Sequence, residues 1–344
     1  MIDDATEQDF SVHTIKFDSE NAELFLAFAR AVTAHDGTPP FSEQTLVEVH
    51  KASRQSENAQ QLQAVIANKN KLGSSSLSLI GAVVALIDDD GVATLEGAVA
   101  TDERGQGVGR VLAENIADIL AEDSVVTQHL WIHQIQGEGA TGERKAAETL
   151  ARSFNFSPVR ELRKMQLWLT DESRQQILCD FQQVELPSGI TLDTFTSQDE
   201  KAWLHANAEA FADHPEQGTL TLEDLKERQA SDWFRAEGFI LARAPKELAG
   251  FHWTKVPPQD AEELEGEVYA VGVVPAWQGK KLGKILTLAG MKYLVDFTDD
   301  SGRSLDKIAL YVDADNDAAV NLYKSLGFVE ETVDVMYSNQ VKQA

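Results

Sequence analysis

The chain reads as two copies of one α/β domain, and three observations carry that reading. A β-branched run, Val271-Gly272-Val273-Val274, leads through a Pro-containing turn into the loop Gln278-Gly279-Lys280-Lys281-Leu282-Gly283-Lys284. A helical stripe of Leu282, Ile285, Leu286 and Ala289 follows it. The same order opens at Leu95 and runs through Ala98, Val99, Arg104, Gly105, Gln106, Gly107, Val108 and Gly109. Downstream of each loop, Ala146-Ala147-Glu148-Thr149-Leu150-Ala151-Arg152-Ser153-Phe154-Asn155-Phe156 matches Ala318-Ala319-Val320-Asn321-Leu322-Tyr323-Lys324-Ser325-Leu326-Gly327-Phe328 at an offset of 172 residues, half of the 344.

Taken in order, Ser11 to Phe17 alternate as an opening strand. Asp18 or Ser19 caps a helix through Phe25, Phe28 and Val32, and Ser42 starts a second short one with Glu43 in its first turn. Strands over 77–87 and 92–100 flank the hairpin turn Asp88-Asp89-Asp90-Gly91. The first glycine loop, its helix through Val111, Leu112, Ile116 and Ile119, and a strand over 129–133 come next. Residues 137–142 form a loop without counterpart in the second half, and a strand near Met165 to Leu169 closes domain one. The second half restarts at Ile190 with a strand, a helix through Trp203, Ala206 and Phe211, and a helix over 221–229. Strands over 238–242, 248–256 and 267–273 lead to the second loop, and 308–312, a helix over 318–326 and a last strand over 332–337 finish it. The expected boundaries are residues 1–170 for the N-terminal domain, 171–188 for a linker and 189–344 for the C-terminal domain.

Composition sets the partners. The chain is long enough for about two domains, and 43% hydrophobic residues suffice for two cores. With 56 acidic against 30 basic side chains the formal charge is −26, which disfavours nucleic acid and anionic membrane surfaces. No apolar run approaches a bilayer span and the start is acidic, so a cytoplasmic protein, taken as a monomer, is expected. The one cysteine, Cys179, excludes an internal disulfide and reads as a core or linker residue. Eight scattered histidines show no ligand spacing, so no metal is expected.

A strand, a glycine-bearing loop and a helix N-terminus together make an anion cradle, suited to a pyrophosphate. The glycine spacing is neither the dinucleotide fingerprint nor the Walker pattern. Forming an amide from a thioester needs a base for the acceptor amine and a proton for the leaving sulfur; a carboxylate and a phenol serve. The second half offers Glu267, at the head of the strand into the loop, and Tyr323, in the helix after Asp315-Asn316. The first half has Ala151 where Tyr323 stands, so it keeps the loop and lacks the phenol. Each candidate also has a structural reading: Tyr323 as a core tyrosine, Glu267 as an edge charge, Glu43 and Glu216 as helix-start acids, Lys255 as a solvated strand end, Tyr311 as a sheet residue with its hydroxyl at the rim.

The loop form Gln/Arg-x-x-Gly-x-Gly/Ala after a Val-x-Pro strand end resembles the acetyl-CoA loop of the GNAT acetyltransferase superfamily. Gln278 and Gly283 match, Lys281 stands where the pattern has Gly, and Arg104, Gly107 and Gly109 fit completely. The resemblance implies a tandem duplication of a GNAT domain, each copy a mixed, mostly antiparallel central sheet flanked by helices. Phe251-His252-Trp253-Thr254-Lys255-Val256, Gly266-Glu267-Val268-Tyr269, Leu310-Tyr311-Val312 and His214-Pro215-Glu216-Gln217-Gly218 further resemble the mycothiol synthase family. Those are two-domain actinobacterial enzymes acetylating the cysteinyl amine of cysteinyl-glucosaminyl-inositol. That likeness implies Glu267 as general base, Tyr323 as general acid, and Glu43, Glu216, Lys255, Glu267 and Tyr311 around the sugar-cysteine substrate. It implies acetyl-CoA on Val271-Gly272-Val273, the loop Gln278 to Lys284 and Asn316-Asp317-Ala318-Ala319-Val320-Asn321. A second, non-reacting acetyl-CoA site falls at Ala98, Val99 and Arg104 to Gly109. Two other readings stay open: an N-acetyltransferase for an aminoglycoside, polyamine or protein N-terminus, and a non-catalytic acyl-CoA sensor.

Overall fold

Alternating and helix-spaced apolar residues build the elements expected of them, and long-range pairing then sorts those elements into two units. The structure, a computed structural model, describes residues 10–54, 61–70, 77–123, 125–133, 140–212, 217–257 and 263–340. One compact unit comprises the residues up to Glu161 together with those from Val333 on, and the other comprises Leu162–Thr332.

The first unit begins with β1 (Ser11–Ile15), α1 (Ser19–Asp36), α2 (Glu43–Ser53), β2 (Gln61–Asn70), β3 (Leu77–Ile87) and β4 (Val92–Val99). It continues with α3 (Val108–Glu122), β5 (Thr127–Ile132) and α4 (Ala140–Ser153). Asp18 caps α1 through the amide of Asn21 at 2.8 Å, and Gly37 ends it in the left-handed region at φ 69°. Strands β1 to β4 pair antiparallel in sequence order; β4 and β5 pair parallel, as the α3 crossover requires. Phe25, Phe28 and Val49 pack on one face of this sheet, and Val83, Leu112, Ile116 and Leu120 on the other.

The second unit adds β6 (Ser157–Trp168), α5 (Asp171–Gln182), β7 (Thr191–Thr194), α6 (Glu200–Ala210), α7 (Leu222–Gln229), β8 (Phe239–Arg243) and β9 (Leu248–Lys255). It ends with β10 (Glu265–Val273), α8 (Leu282–Asp296), β11 (Lys307–Asp313), α9 (Asp317–Ser325) and β12 (Val329–Gln340). Strands β7 to β10 pair antiparallel, and β10 and β11 pair parallel. One face packs an aromatic core in which Phe239 and Trp253 stack at 4.3 Å and Trp203 meets both edge-on. Arg243 grips Asp199 at 2.8 and 3.0 Å, and this hydrogen-bonded pair holds the Asp199 carboxyl down at about 2. On the other face α8 lies over His252, which is fully buried and donates from Nδ1 to the Leu286 carbonyl at 2.8 Å. Burial lowers the His252 pKa to about 4, so the ring is neutral at pH 7. Gly290 makes room for that ring: a Cβ there would fall 2.1 Å from it.

Strand pairing in each unit is mixed and mostly antiparallel, as expected, but the expected boundaries are corrected at three places. The strand over 165–169 does not close the first domain: residues 162–168 of β6 pair with β11 in the second unit. The last strand does not close the second: residues 335–340 of β12 pair antiparallel with β5 in the first. Each unit therefore takes one of its strands from the other half of the sequence. The expected linker over 171–188 contains α5, capped by Thr170 and buried at Ile177 against Met291 and Leu294. Cys179 is exposed on that helix. Of the loop expected over 137–142, residues 140–142 already belong to α4 and the rest lie outside the described residues. Strand β2 has no forerunner in the sequence reading, because its Gln, Asn and Lys residues mask its apolar alternation.

Candidate active site

The site starts from a break in pairing. In the second unit β10 and β11 bond only from Glu265↔Lys307 to Val268↔Leu310, while β10 stays paired with β9 out to Val273↔Gly250. Past Val268 the two parallel strands part, and among the described residues one backbone edge of Ala270 to Val273 has no strand partner. Helices α8 and α9 begin where these strands end, so both helix N-termini flank the opening. The first unit repeats the break, with β4 and β5 paired from Val92↔Thr127 to Leu95↔Leu130.

The two loops follow one plan. Gly105 and Gly279 both sit at φ 74°, and Gly107 and Lys281 are the left-handed residues from which α3 and α8 start, at φ 87° and 63°. Side chains cap α1, α2, α5, α7 and α9; α3, α6 and α8 have no side-chain cap, and in α3 and α8, which follow the glycine loops, the first amides are open to an anion. Arg104 and Gln278 brace the turns by donating to Val99 and Val273 carbonyls at 3.0 and 3.1 Å. Arg104 also binds Glu143 and Asp36, each at 2.6 Å, so its charge is matched inside the protein. Lys280 lies 4.2 Å over the Trp277 ring and donates to the Ala276 carbonyl. Lys281 and Lys284 are exposed beside the cradle. Asn316 caps α9 by accepting from Ala319 at 3.1 Å.

Strand alternation distributes the candidate acid and base. Gly266 faces α8, where an added Cβ would lie 2.9 Å from Leu294, so Glu267 points to the opposite face of the sheet. Ile308, Leu310 and Val312 are buried with α8, so Tyr311 shares the Glu267 face. Lys255 is directly opposite Glu267 in the β9–β10 register and on the same face. The ammonium of Lys255 lies 5.0 Å over Trp233 and 5.2 Å over Tyr269, whose hydroxyl accepts from Arg228 at 2.8 Å. Tyr323 lies on the α8 side, edge-on to Phe328 at 5.9 Å. It is 9% exposed, no hydrogen bond holds its hydroxyl among the described residues, and burial pushes its phenol up to about 12. Tyr323 is thus both a core tyrosine and a phenol that keeps its proton at neutral pH.

Glu43 is half-buried in the first turn of α2, in the first unit. Glu216 lies outside the described residues. The sequence reading missed Lys164, which pairs with Tyr311 in register and bonds Glu265 at 3.3 Å and Glu331 at 3.0 Å. Burial by itself lowers the pKa of this ammonium, but Glu265 and Glu331 outweigh it and raise it above its ordinary value. Assigning residues 165–169 to domain one had hidden this group; no local signal marks the pairing.

Known proteins with these features can now be compared. The model of the Acetyltransferase (GNAT) family matches residues 198–328. The mycothiol acetyltransferase of Rothia mucilaginosa is 42% identical over 325 residues, covering 93% of this chain and 90% of that protein. That of Paenarthrobacter aurescens is 42% identical over 329 residues, covering 94% of each. Among solved structures, a tandem GNAT protein from the clavulanic acid biosynthesis pathway aligns with a TM-score of 0.69 at 17% identity, over 97% of this chain and 99% of that one. The GCN5-related N-acetyltransferase from Sphaerobacter thermophilus aligns at 0.59 and 20% identity, over 97% and 96%. The last two bear on the fold alone. With a parted parallel strand pair and an uncapped loop-to-helix cradle in each unit, and with such relatives spanning more than nine-tenths of its length, the chain belongs to the mycothiol acetyltransferase family of GNAT acetyltransferases.

Proposed function

We propose that the second unit transfers the acetyl group of acetyl-CoA to the cysteinyl amine of desacetylmycothiol, cysteinyl-glucosaminyl-inositol, giving mycothiol and CoA. The observation that supports this most is the parted β10–β11 pair with Glu267 on one face and Tyr323 on the other. An extended pantetheine arm entering the opening can pair with the free edge of Val271 to Val273 as a strand would. Its pyrophosphate then meets the open amides from Gln278 to Lys284, and the start of α9, Asn316 to Asn321, borders the same mouth. The amine attacks the acyl carbon, the C–N bond forms and the C–S bond breaks. Glu267 takes the amine proton, directly or through water, and Tyr323 gives its proton to the departing sulfur. Glu267, Lys255 and Tyr311, on one face, are the groups for the acceptor's hydroxyls and ammonium.

The first unit has the same opening and cradle with Ala151 at the acid's position, which suits binding acetyl-CoA without transfer. No helix among the described residues is long and apolar enough to cross a membrane. The acidic chain suits a cytosolic reaction between two water-soluble molecules. Incubation with acetyl-CoA and desacetylmycothiol, followed by mass detection of the acetylated thiol, tests the assignment. Turnover with polyamines or aminoglycosides and none with the cysteinyl glycoside would reassign the acceptor.

A further inference from the structure

A cavity of about 1200 Å³ lies within the first unit. It opens beside the cradle at Gly107 and Gly109 and continues beneath α3 as far as Ala121 and Gln128. At 1.5 Å per residue, Gly107 to Ala121 is about 20 Å of helix, so the space runs well past the point at Leu95↔Leu130 where β4 and β5 close together. A thioester threaded between these strands would bring only its acyl end to that point. The space beyond it is the part that an acetyl group leaves empty.

The internal repeat shows what made the space. Helices α3 and α8 align from their first residues, so Ala117 corresponds to Met291 and Ala121 to Val295; α4 and α9 align so that Ala151 corresponds to Tyr323. In the second unit Met291, Val295 and Tyr323 are all buried in one core cluster. In the first unit all three alanines line the cavity, and Ala113 continues their stripe one turn earlier on α3. Three large side chains are thus missing from one place in one copy. A polar atom marks the junction between cradle and cavity. His133 lines the space, its Nδ1 contacts Asp334 at 3.1 Å, and its Nε2 is buried with no partner among the described residues. Burial disfavours the charged ring, but Asp334 and Glu96 outweigh it and raise the His133 pKa above the ordinary value, and in the charged form Nε2 offers an N–H to a pantetheine carbonyl.

We propose that the first unit binds CoA thioesters whose acyl chain is longer and more apolar than acetyl, of medium-chain length, with the chain lying along Ala113, Ala117, Ala121 and Ala151. This rests on the reading of the first loop as a CoA cradle and extends it to the identity of the acyl group. Each methylene buried in an apolar channel is worth about 0.8 kcal/mol, which converts to roughly a fourfold gain in affinity.

The test is calorimetric titration of the full chain with acetyl-, butyryl-, hexanoyl- and octanoyl-CoA. The expected result is two sites for acetyl-CoA, one of which tightens about two- to fourfold per added methylene while the other stays level or weakens. Ala117→Met and Ala151→Tyr, which restore the second unit's side chains, should each flatten that ladder, with unfolding midpoints recorded to confirm that the variants fold. Two acetyl-CoA sites with no dependence on chain length would overturn the proposal and leave the cradle reading standing. A ladder untouched by either variant would also overturn it, by assigning the longer chain to the second unit. A single CoA site with no ladder would remove both readings.

Discussion

Gly107 and Lys281 occupy the same place in two copies of one loop, and both are left-handed. The glycine adopts that conformation freely, whereas the lysine does so at a cost of about 1–2 kcal/mol. The second copy therefore holds a strained residue, and it adds a cation at the mouth of the cradle proposed for an anion. The first copy's nearby cation, Arg104, is instead matched by Asp36 and Glu143. Downstream the contrast reverses in character: Tyr323, Met291 and Val295 fill the second unit, where Ala151, Ala117 and Ala121 leave the first hollow. Duplication preserved the backbone of strand, loop and helix and let the side chains that fill the interior diverge. The backbone is held by pairing and by φ, while a side chain is held only by what it touches.

The sharpest way to break this comparison is to remove the proposed acid and base. Tyr323→Phe and Glu267→Gln should each lower turnover by about 10²- to 10⁴-fold with little change in acetyl-CoA affinity. Steady-state rates and binding titrations check this, and wild-type rates from both variants would end the assignment of chemistry to the second unit. In Glu267→Gln the acid limb of the rate profile should also vanish.

A second difference lies beneath α8. Register places His252 and Gly290 where the first unit has Val83 and Ile116. Gly290→Ala should therefore destabilise the protein by about 1–3 kcal/mol through overpacking against the imidazole, as read in urea unfolding. Because the unfolded ring titrates near 6.5 and the folded one at about 4, His252 contributes stability above the unfolded value that is lost as pH falls through that window. His252→Val should flatten this part of the stability profile.

Asp199 sets a lower window. Its folded value of about 2 lies below the unfolded 3.8, so its pairing with Arg243 stabilises above that range and is lost as pH falls through it. Asp199→Asn should remove this dependence, seen as a smaller loss of melting temperature between those pH values. The smallest expected effect is the exchange of loop residues. Gly107→Lys should cost about 1–2 kcal/mol, and Lys281→Gly should return somewhat less, because glycine also frees the unfolded chain. Equal and opposite unfolding shifts near zero would show that the left-handed position carries no strain.

Much of this was legible in the residues. The caps at Asp18 and Ser42, the repeat and the strands into each loop are local matters of periodicity and turn chemistry, and the relatives bear out the family that they suggested. Glu267 was offered by its place at the head of a strand, whereas Lys255 and Tyr311 came only from the family resemblance, and strand alternation in the fold puts all three on one face. Lys164 did not, since nothing within β6 says which sheet its residues 162–168 will join.

The sequence by itself determined the duplicated strand-loop-helix unit, its anion cradles and the presence of the phenol in one copy, because these depend on backbone conformation and residue type within a dozen positions. Only the tertiary structure decided that each unit takes in a strand from the other half, that the two parallel strands part at Val268 and at Leu95, and that the first unit holds a cavity. Strand partnership and empty volume are set by residues far apart in the chain meeting, or failing to meet, and an alternating apolar run fits either of two sheets equally well until the rest of the fold has formed.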